Sequence, residues 1–341
     1  MGQKETDQLN RILHGVALTR GMCTVADLGV ADHIQPGAPQ SAKYLARATG
    51  AHERSLYRLL RFLASHGLFR ETKSGEFDHT PLSLALRTDA EGSFRAAAQL
   101  FHHEFQAWNG LDHAVRTGKP GFDAVFGRPL FDHIAANPAL GPLLDAGMTC
   151  MHGYETAAMI EAYDFGAVRV LADIGGGNGS LIGAVLQRYP KMQGILFDLG
   201  HVVERAKQSL KKWGVADRCQ VTEGSFFETI PAGADAYLFR HIIHDWTDEQ
   251  SVEILSLCRK VIPENGRLLL VECVVPPGNE PSLSKEFDMT MMTFPGGVER
   301  TESEFRFLFK QAGFELTSVT PTTTMVSVVE ARPVLVPVRP V

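Results

Sequence analysis

The apolar residues that follow Gln8 recur at intervals of three and four, at Leu9, Ile12, Leu13, Val16 and Ala17. That spacing predicts a helix with one buried face running to about Ile34. Helices are also predicted over Ala42–Thr49 and Glu53–His66, joined by a turn at Gly50, and Leu68–Glu71 with Phe77 brackets a small hairpin at Lys73-Ser74-Gly75. Helix, turn, helix and hairpin make a winged-helix pattern. From Phe94 to Tyr163 the texture stays helical, with breaks at Gly118–Gly121, Gly127-Arg128-Pro129 and Asn137-Pro138.

After Gly166 short apolar runs alternate with helical segments: Arg169–Asp173, Gly194–Asp198, Cys219–Glu223, Asp235–His241 and Arg267–Cys273. This alternation predicts an α/β region with a doubly wound, mostly parallel sheet. Thr247 with Gln250 and Thr301 with Glu304 have the spacing of capping boxes at two helix starts. The last two strands, Phe314–Val319 and Met325–Ala331, are linked by only Thr320–Thr324, too short for a crossover helix, so they are expected to be antiparallel. The Pro/Val tail after Arg332 is expected to fray.

Composition narrows the class. The 341 residues, 44% hydrophobic and 21% charged, are enough for about two domains with a sizeable core. No window approaches the roughly 18 uninterrupted apolar residues of a membrane span. The start lacks the apolar stretch of a signal peptide, so a cytoplasmic protein is expected. Cys23, Cys150, Cys219, Cys258 and Cys273 are odd in number and scattered, which fits small buried hydrophobes better than disulfides or a zinc site. A net charge of -6 gives the whole molecule no electrostatic reason to seek nucleic acid or anionic lipid.

The segment Leu171-Ala172-Asp173-Ile174-Gly175-Gly176-Gly177-Asn178-Gly179 follows a strand and opens a helix, where a doubly wound sheet binds its ligand. Gly175 and Gly177 begin a dinucleotide fingerprint, but Ser180 stands where it requires Gly or Ala. Asp173 would repel a pyrophosphate and attract an ammonium and a sulfonium, which favours S-adenosylmethionine over a nicotinamide cofactor. Asp198, at the end of the next strand, is placed to accept hydrogen bonds from ribose hydroxyls.

The fourth strand leads through His241-Ile242-Ile243 into His244-Asp245-Trp246. On extended chain His241 and His244 would point to opposite sides, so no shared metal site is expected. His244 suits a general base taking a proton from a phenol, and either Asp288 or Glu299 could orient and stabilise the charged imidazole. Phe101, Phe105, Trp108, Met148, Met151, Met289, Met292 and Phe294 are available to line an apolar pocket for a flat ring, although about half should be core.

LADIGGGNG, FDLGHV, EGSFFETIP, LFRHIIHDWTDEQ and FPGGVERTESEF, in this order, resemble the S-adenosylmethionine-dependent small-molecule O-methyltransferases of the plant caffeate and flavonoid type and their bacterial phenazine and polyketide relatives. The resemblance covers nearly the whole chain. It implies a class I methyltransferase sheet with an antiparallel C-terminal hairpin, preceded by a mostly helical dimerisation domain, and a homodimer joined through that region. It also implies His244 as base with Asp288 and Glu299 flanking, and Gly175 and Asp198 holding the cofactor with Trp246 packed near it. Leu199 and Phe226, within the matching segments, are expected cofactor contacts, and Asp245 a substrate contact. Met148 matches the family methionine beside substrate and cofactor. Ser225 stands where the family commonly has Asp, and Arg240 where plant members often have Lys; both remain expected cofactor contacts.

The expected division is a winged-helix-like dimerisation domain over 1–100, a helical linker contributing to the substrate pocket over 101–165, and a cofactor-binding methyltransferase domain over 166–341. The expected substrate is a planar aromatic hydroxyl compound. Two other functions compete: methylation of an aromatic ring nitrogen, and ligand-sensing transcriptional regulation through the winged helix. Arg54, Arg58 and Arg61 would form a basic stripe opposite Leu56, Leu59, Leu60 and Leu63, but residues 1–100 hold 12 basic and 10 acidic side chains, a weak footprint for a duplex. No nucleic-acid or membrane partner is expected.

Overall fold

The computed structural model describes residues 2–334. The chain forms two compact units, residues 1–105 with 137–151, and residues 106–136 with 152–341. One helix, Leu140–Ala162, carries the chain from the first into the second.

In the first unit a helix spans Gln3–Leu28 and stops at Gly29, whose left-handed φ of 66° lets its N–H reach back to the last turn. Helices Ala42–Thr49 and Glu53–Ser65 follow, the first capped by Ser41, whose hydroxyl accepts from Tyr44 N at 3.2 Å. Strands β1 (Gln40–Ser41), β2 (Phe69–Lys73) and β3 (Glu76–His79) form an antiparallel sheet in the order β1-β3-β2. Leu45, Leu60, Leu63 and Phe77 are fully buried beneath it, whereas Leu9, Ile12, Leu13 and Val16 of the long helix are exposed. Among the described residues, the early apolar face of that helix is left exposed by its own unit.

The second unit contains a sheet of seven strands: β4 (Val170–Ile174), β5 (Gln193–Asp198), β6 (Cys219–Glu223), β7 (Ala236–Arg240), β8 (Arg267–Cys273), β9 (Phe314–Pro321) and β10 (Val326–Pro333). Their order is β6-β5-β4-β7-β8-β10-β9. β4 to β8 are mutually parallel, and β10 runs antiparallel to both β8 and β9. Along β7, Ala236 and Leu238 enter one core while Tyr237 and Phe239 enter the other. The strand is apolar throughout because helices cover both faces of the sheet. Both capping boxes form, at Thr247–Gln250 and Thr301–Glu304.

β4 has β5 on one side and β7 on the other, so the carboxyl end of β4 is the topological switch point at which such sheets open a crevice. Four of the five cysteines are buried and all are free, with Cys150 partly exposed. β10 continues past Arg332 to Pro333, and Val334 N donates to Gly313 O at 3.0 Å. Residues 335–341 lie outside the described residues. Among the described residues no helix is long and apolar enough to cross a membrane.

Candidate active site

The glycine loop after β4 is held from the neighbouring strand. Gly175 N and Gly176 N donate to Phe197 O at 2.8 and 3.3 Å, and Gly177 N donates to Asp198 Oδ2 at 2.9 Å. Asp198 Oδ1 accepts from Leu199 N at 2.7 Å, so its carboxylate serves the loop's own backbone; the Leu199 side chain is half-exposed. Gly175 and Gly177 have φ of 72° and 57°. The left-handed φ at Gly175 favours glycine, and a Cβ there would also lie 2.4 Å from Ile242 Cδ1, so that side-chain tip would have to shift.

Asp173 is buried, and its Oδ2 has no hydrogen-bond partner. Burial pushes its carboxyl up to about 7 against the opposing pull of the Arg240 guanidinium. A buried oxygen left without a donor costs stability unless a ligand completes it, which fits a cationic group arriving at this point. Arg240 itself donates to Thr156 Oγ1 at 2.8 Å. Ser225 Oγ accepts from Phe227 N at 3.3 Å and so holds its own turn, and the Phe226 ring lies 6.0 Å from that of Trp246. Trp246 packs against Phe131 and Phe227 as well, with its indole N–H buried and unpartnered.

β7 stops at Arg240, and His241 takes a left-handed φ of 51°. The next residues form a 3₁₀ turn, Ile243–Asp245. This reversal overturns the expectation that His241 and His244 face opposite ways, because the chain between them is not extended. Their ring centroids are 5.0 Å apart, and a nitrogen of each lies within 4.8 Å of a carboxylate oxygen of Glu272.

His244 is buried. Its Nδ1 bonds Glu299 Oε1 at 2.7 Å, with Glu272 Oε2 3.6 Å away, and Nε2 lies 3.5 Å from Asp245 Oδ1. A carboxylate can only accept, so Nδ1 carries the hydrogen and Nε2 is left as the basic atom. Burial opposes the imidazolium, but Glu272, Asp245 and Glu299 together outweigh it and lift the ring to about 10. Burial also raises Glu272, and it pushes Asp245 up to about 6.

Asp288 does not flank the imidazole as expected. Its Oδ1 accepts from Glu299 N at 2.9 Å, one layer behind, because the loop between the two residues folds Asp288 onto backbone. Glu272 takes the flanking place: Oε1 accepts from Ile242 N and Ile243 N at 3.1 and 3.0 Å, and Oε2 faces the ring with no other partner. One signal for Glu272 was present in the sequence, since an acid inside the apolar run of β8 must be paired or functional. Arg300, fully buried, bonds Ile243 O and Trp246 O at 3.0 Å each and Asp248 Oδ1 at 2.9 Å, pinning the turn. Val298 N donates to His244 O at 2.8 Å, and a Cβ on Gly297 would sit 1.8 Å from that oxygen.

The expected substrate residues fall in both units. In the first, Phe101 and Phe105 pack edge-to-face at 6.3 Å, with Met148 exposed and Met151 half-buried. In the second, Phe294 is core, packed with Ala107 and Phe122; Trp108 meets it edge-on at 5.8 Å, and Met289 is exposed and Met292 half-buried.

Residues 108–315 match the family model of the O-methyltransferase domain, and residues 10–89 that of the O-methyltransferase dimerisation domain. The chain is 39% identical over 327 residues to the phenazine O-methyltransferase PhzM of Lysobacter antibioticus, covering 96% of each. Its fold matches the crystal structure of LaPhzM with a TM-score of 0.91 at 38% identity, over 96% of this chain and 99% of that one. It also matches an O-methyltransferase from neocarzinostatin biosynthesis, solved in complex with S-adenosylmethionine and 2-hydroxy-5-methyl naphthoic acid, with a TM-score of 0.82 at 31% identity over 93% and 96% of the two chains.

Proposed function

The chain belongs to the O-methyltransferase family, and on that premise we propose that it transfers a methyl group from S-adenosylmethionine to a hydroxyl of a planar aromatic secondary metabolite, a phenol, phenazine or aromatic polyketide, with His244 as general base. The 2.7 Å bond from His244 Nδ1 to Glu299 carries this function, because it keeps a hydrogen on Nδ1 and so makes Nε2 of the neutral ring the atom that takes the acceptor's proton. The substrate class is supported by what the relatives act on.

S-adenosylmethionine, when bound, supplies an electrophilic methyl group. Asp173, Gly175, Gly177 and Arg240 would hold its charged end, Asp198 its ribose, and Leu199, Ser225, Phe226 and Trp246 its base. The partnerless oxygen of Asp173 and the open space beside Gly177 suit such a cationic ligand. His244 Nε2 takes the hydroxyl proton as the acceptor oxygen attacks, and Glu299 and Glu272 stabilise the imidazolium that results. Asp288 supports Glu299 through its backbone. Within the second unit Trp108, Met289 and Met292 would grip the ring, with Asp245 beside the reacting hydroxyl. In-line attack then needs mainly positioning and proton removal.

The dimerisation-domain match and the exposed Leu9, Ile12, Leu13 and Val16 support a homodimer assembled through the N-terminal helices. Screening aromatic hydroxyl compounds with labelled methyl donor identifies the acceptor, and product analysis separates oxygen from nitrogen methylation. His244→Ala should lower turnover by about 100-fold or more. Near-normal turnover with unchanged cofactor affinity would refute the assignment.

A further inference from the structure

Beside the residues given roles above, the second unit buries another acid and two imidazoles. Glu155 is fully buried, and its oxygens bond His152 Nδ1 at 3.2 Å and His241 Nε2 at 2.8 Å. Burial opposes its charge, yet these two imidazole bonds hold the carboxyl down at about 2. A buried carboxylate is tolerated only when paired in this way. Since Glu155 can only accept, His241 carries its hydrogen on Nε2, and Nδ1 is a buried lone pair without a partner. Burial and the neighbouring His152 ring keep His241 well below the ordinary histidine range.

We propose that Glu155 and His241 are positioning residues for the base: the Glu155 carboxylate anchors the His241 ring, and with it the left-handed residue from which the turn carrying His244 departs. This rests on His244 being the general base. The φ of 51° at His241 is a conformation that residues with a β-carbon rarely adopt, and it persists only where the surroundings over-determine it. Were His241 to relax to extended chain, the odd spacing would swing His244 to the other side of the strand, away from Glu299. Glu272 ties down the N–H groups of Ile242 and Ile243, and Arg300 and Val298 hold the carbonyls of Ile243, His244 and Trp246. The His241 N–H donates to Val271 O at 3.2 Å, and Glu155, from the Leu140–Ala162 helix, holds the His241 ring.

His241→Gly separates ring from backbone, because glycine accepts the left-handed φ without strain and removes the anchor. Glu155→Leu removes the acceptor, and Glu155→Gln keeps an oxygen for His241 Nε2–H. With saturating methyl donor, His241→Gly and Glu155→Leu should lower kcat by about 10- to 100-fold, the cost of displacing a catalytic group by up to an ångström. Calorimetric affinity for S-adenosylmethionine should stay parental. Glu155→Gln should recover most of kcat. The downfield proton resonance of the His244 Nδ1–Glu299 bond should broaden or move in the first two variants and persist in the third.

Parental kcat in His241→Gly, while His244→Ala has lost turnover, overturns the proposal. So does a loss of kcat that Glu155→Gln does not recover, or one matched by an equal loss of cofactor affinity, since both indicate a merely structural role. If Glu155→Leu does not fold, His241→Gly decides. Should His244→Ala keep its turnover, the base assignment falls first and is recognised separately.

Discussion

Glu272→Gln gives a direct test of why the base is so strong. The replacement is isosteric, and its carbonyl oxygen still accepts from Ile242 and Ile243, so the turn is retained while the charge 3.6 Å from His244 Nδ1 is lost. Two unit charges at that separation interact by about 5 kcal/mol at an effective dielectric near 20, an upper figure because burial raises Glu272 and leaves it only partly ionised near neutrality. Loss of a charge at this distance should lower the His244 value by about 1–3 pH units from its starting point near 10. The base must be neutral to act, so kcat/KM for the acceptor rises with pH until the ring has lost its proton. The variant's rising limb should therefore lie about 1–3 pH units to the acid side of the parent's, with a lower plateau because its imidazolium is less stabilised. Measuring both enzymes on one acceptor cancels that acceptor's own ionisation. A limb that does not move, or moves to higher pH, would refute the electrostatic account of His244.

Three further outcomes follow from particular contacts. Asp173→Asn should weaken S-adenosylmethionine binding by calorimetry, yet raise the melting temperature at pH 8. The folded-state value of Asp173, about 7, lies above its ordinary one, so its ionisation costs the fold stability as pH rises from about 4 to 7; an unchanged melting temperature would count against this. Gly297→Ala should abolish turnover and lower the melting temperature, because its Cβ would lie 1.8 Å from His244 O, where backbone must shift; full activity would show that the turn can yield. Ile12→Glu with Leu13→Glu should turn the dimer expected in sedimentation into monomer, since both side chains are exposed on the long helix; an unaltered mass would place the interface elsewhere.

Periodicity and local chemistry determined much of this protein without any tertiary knowledge. Alternating apolar runs marked β4 to β8, the Thr320–Thr324 link was too short for anything but an antiparallel pair, and two capping boxes marked helix starts that formed where expected. These features are short-range: a few residues decide them, so sequence shows them. The same holds for the glycine loop, whose charge neighbour Asp173 pointed to a cationic ligand; His244 and Glu299, 55 positions apart, were linked instead through segments whose order resembles one family.

Only the tertiary structure decided which acid stands against the imidazole. Glu272 and Asp288 both lie far from His244 along the chain, and the choice rests on how β8 lies beside β7 and on a loop that turns Asp288 onto the backbone of Glu299. The pairing of His241 with Glu155, 86 positions away, was likewise invisible, because it depends on a single left-handed residue that breaks the period of two on which strand reasoning relies. The fully buried Arg300 has the same origin: Ile243, Trp246, Asp248 and Ser251, 49 to 57 positions earlier in one short stretch of chain, all take its donors, and no local pattern at Arg300 records that demand. Patterns repeated along the chain specify elements, whereas a buried polar cluster is specified by the sum of long-range contacts that satisfy it.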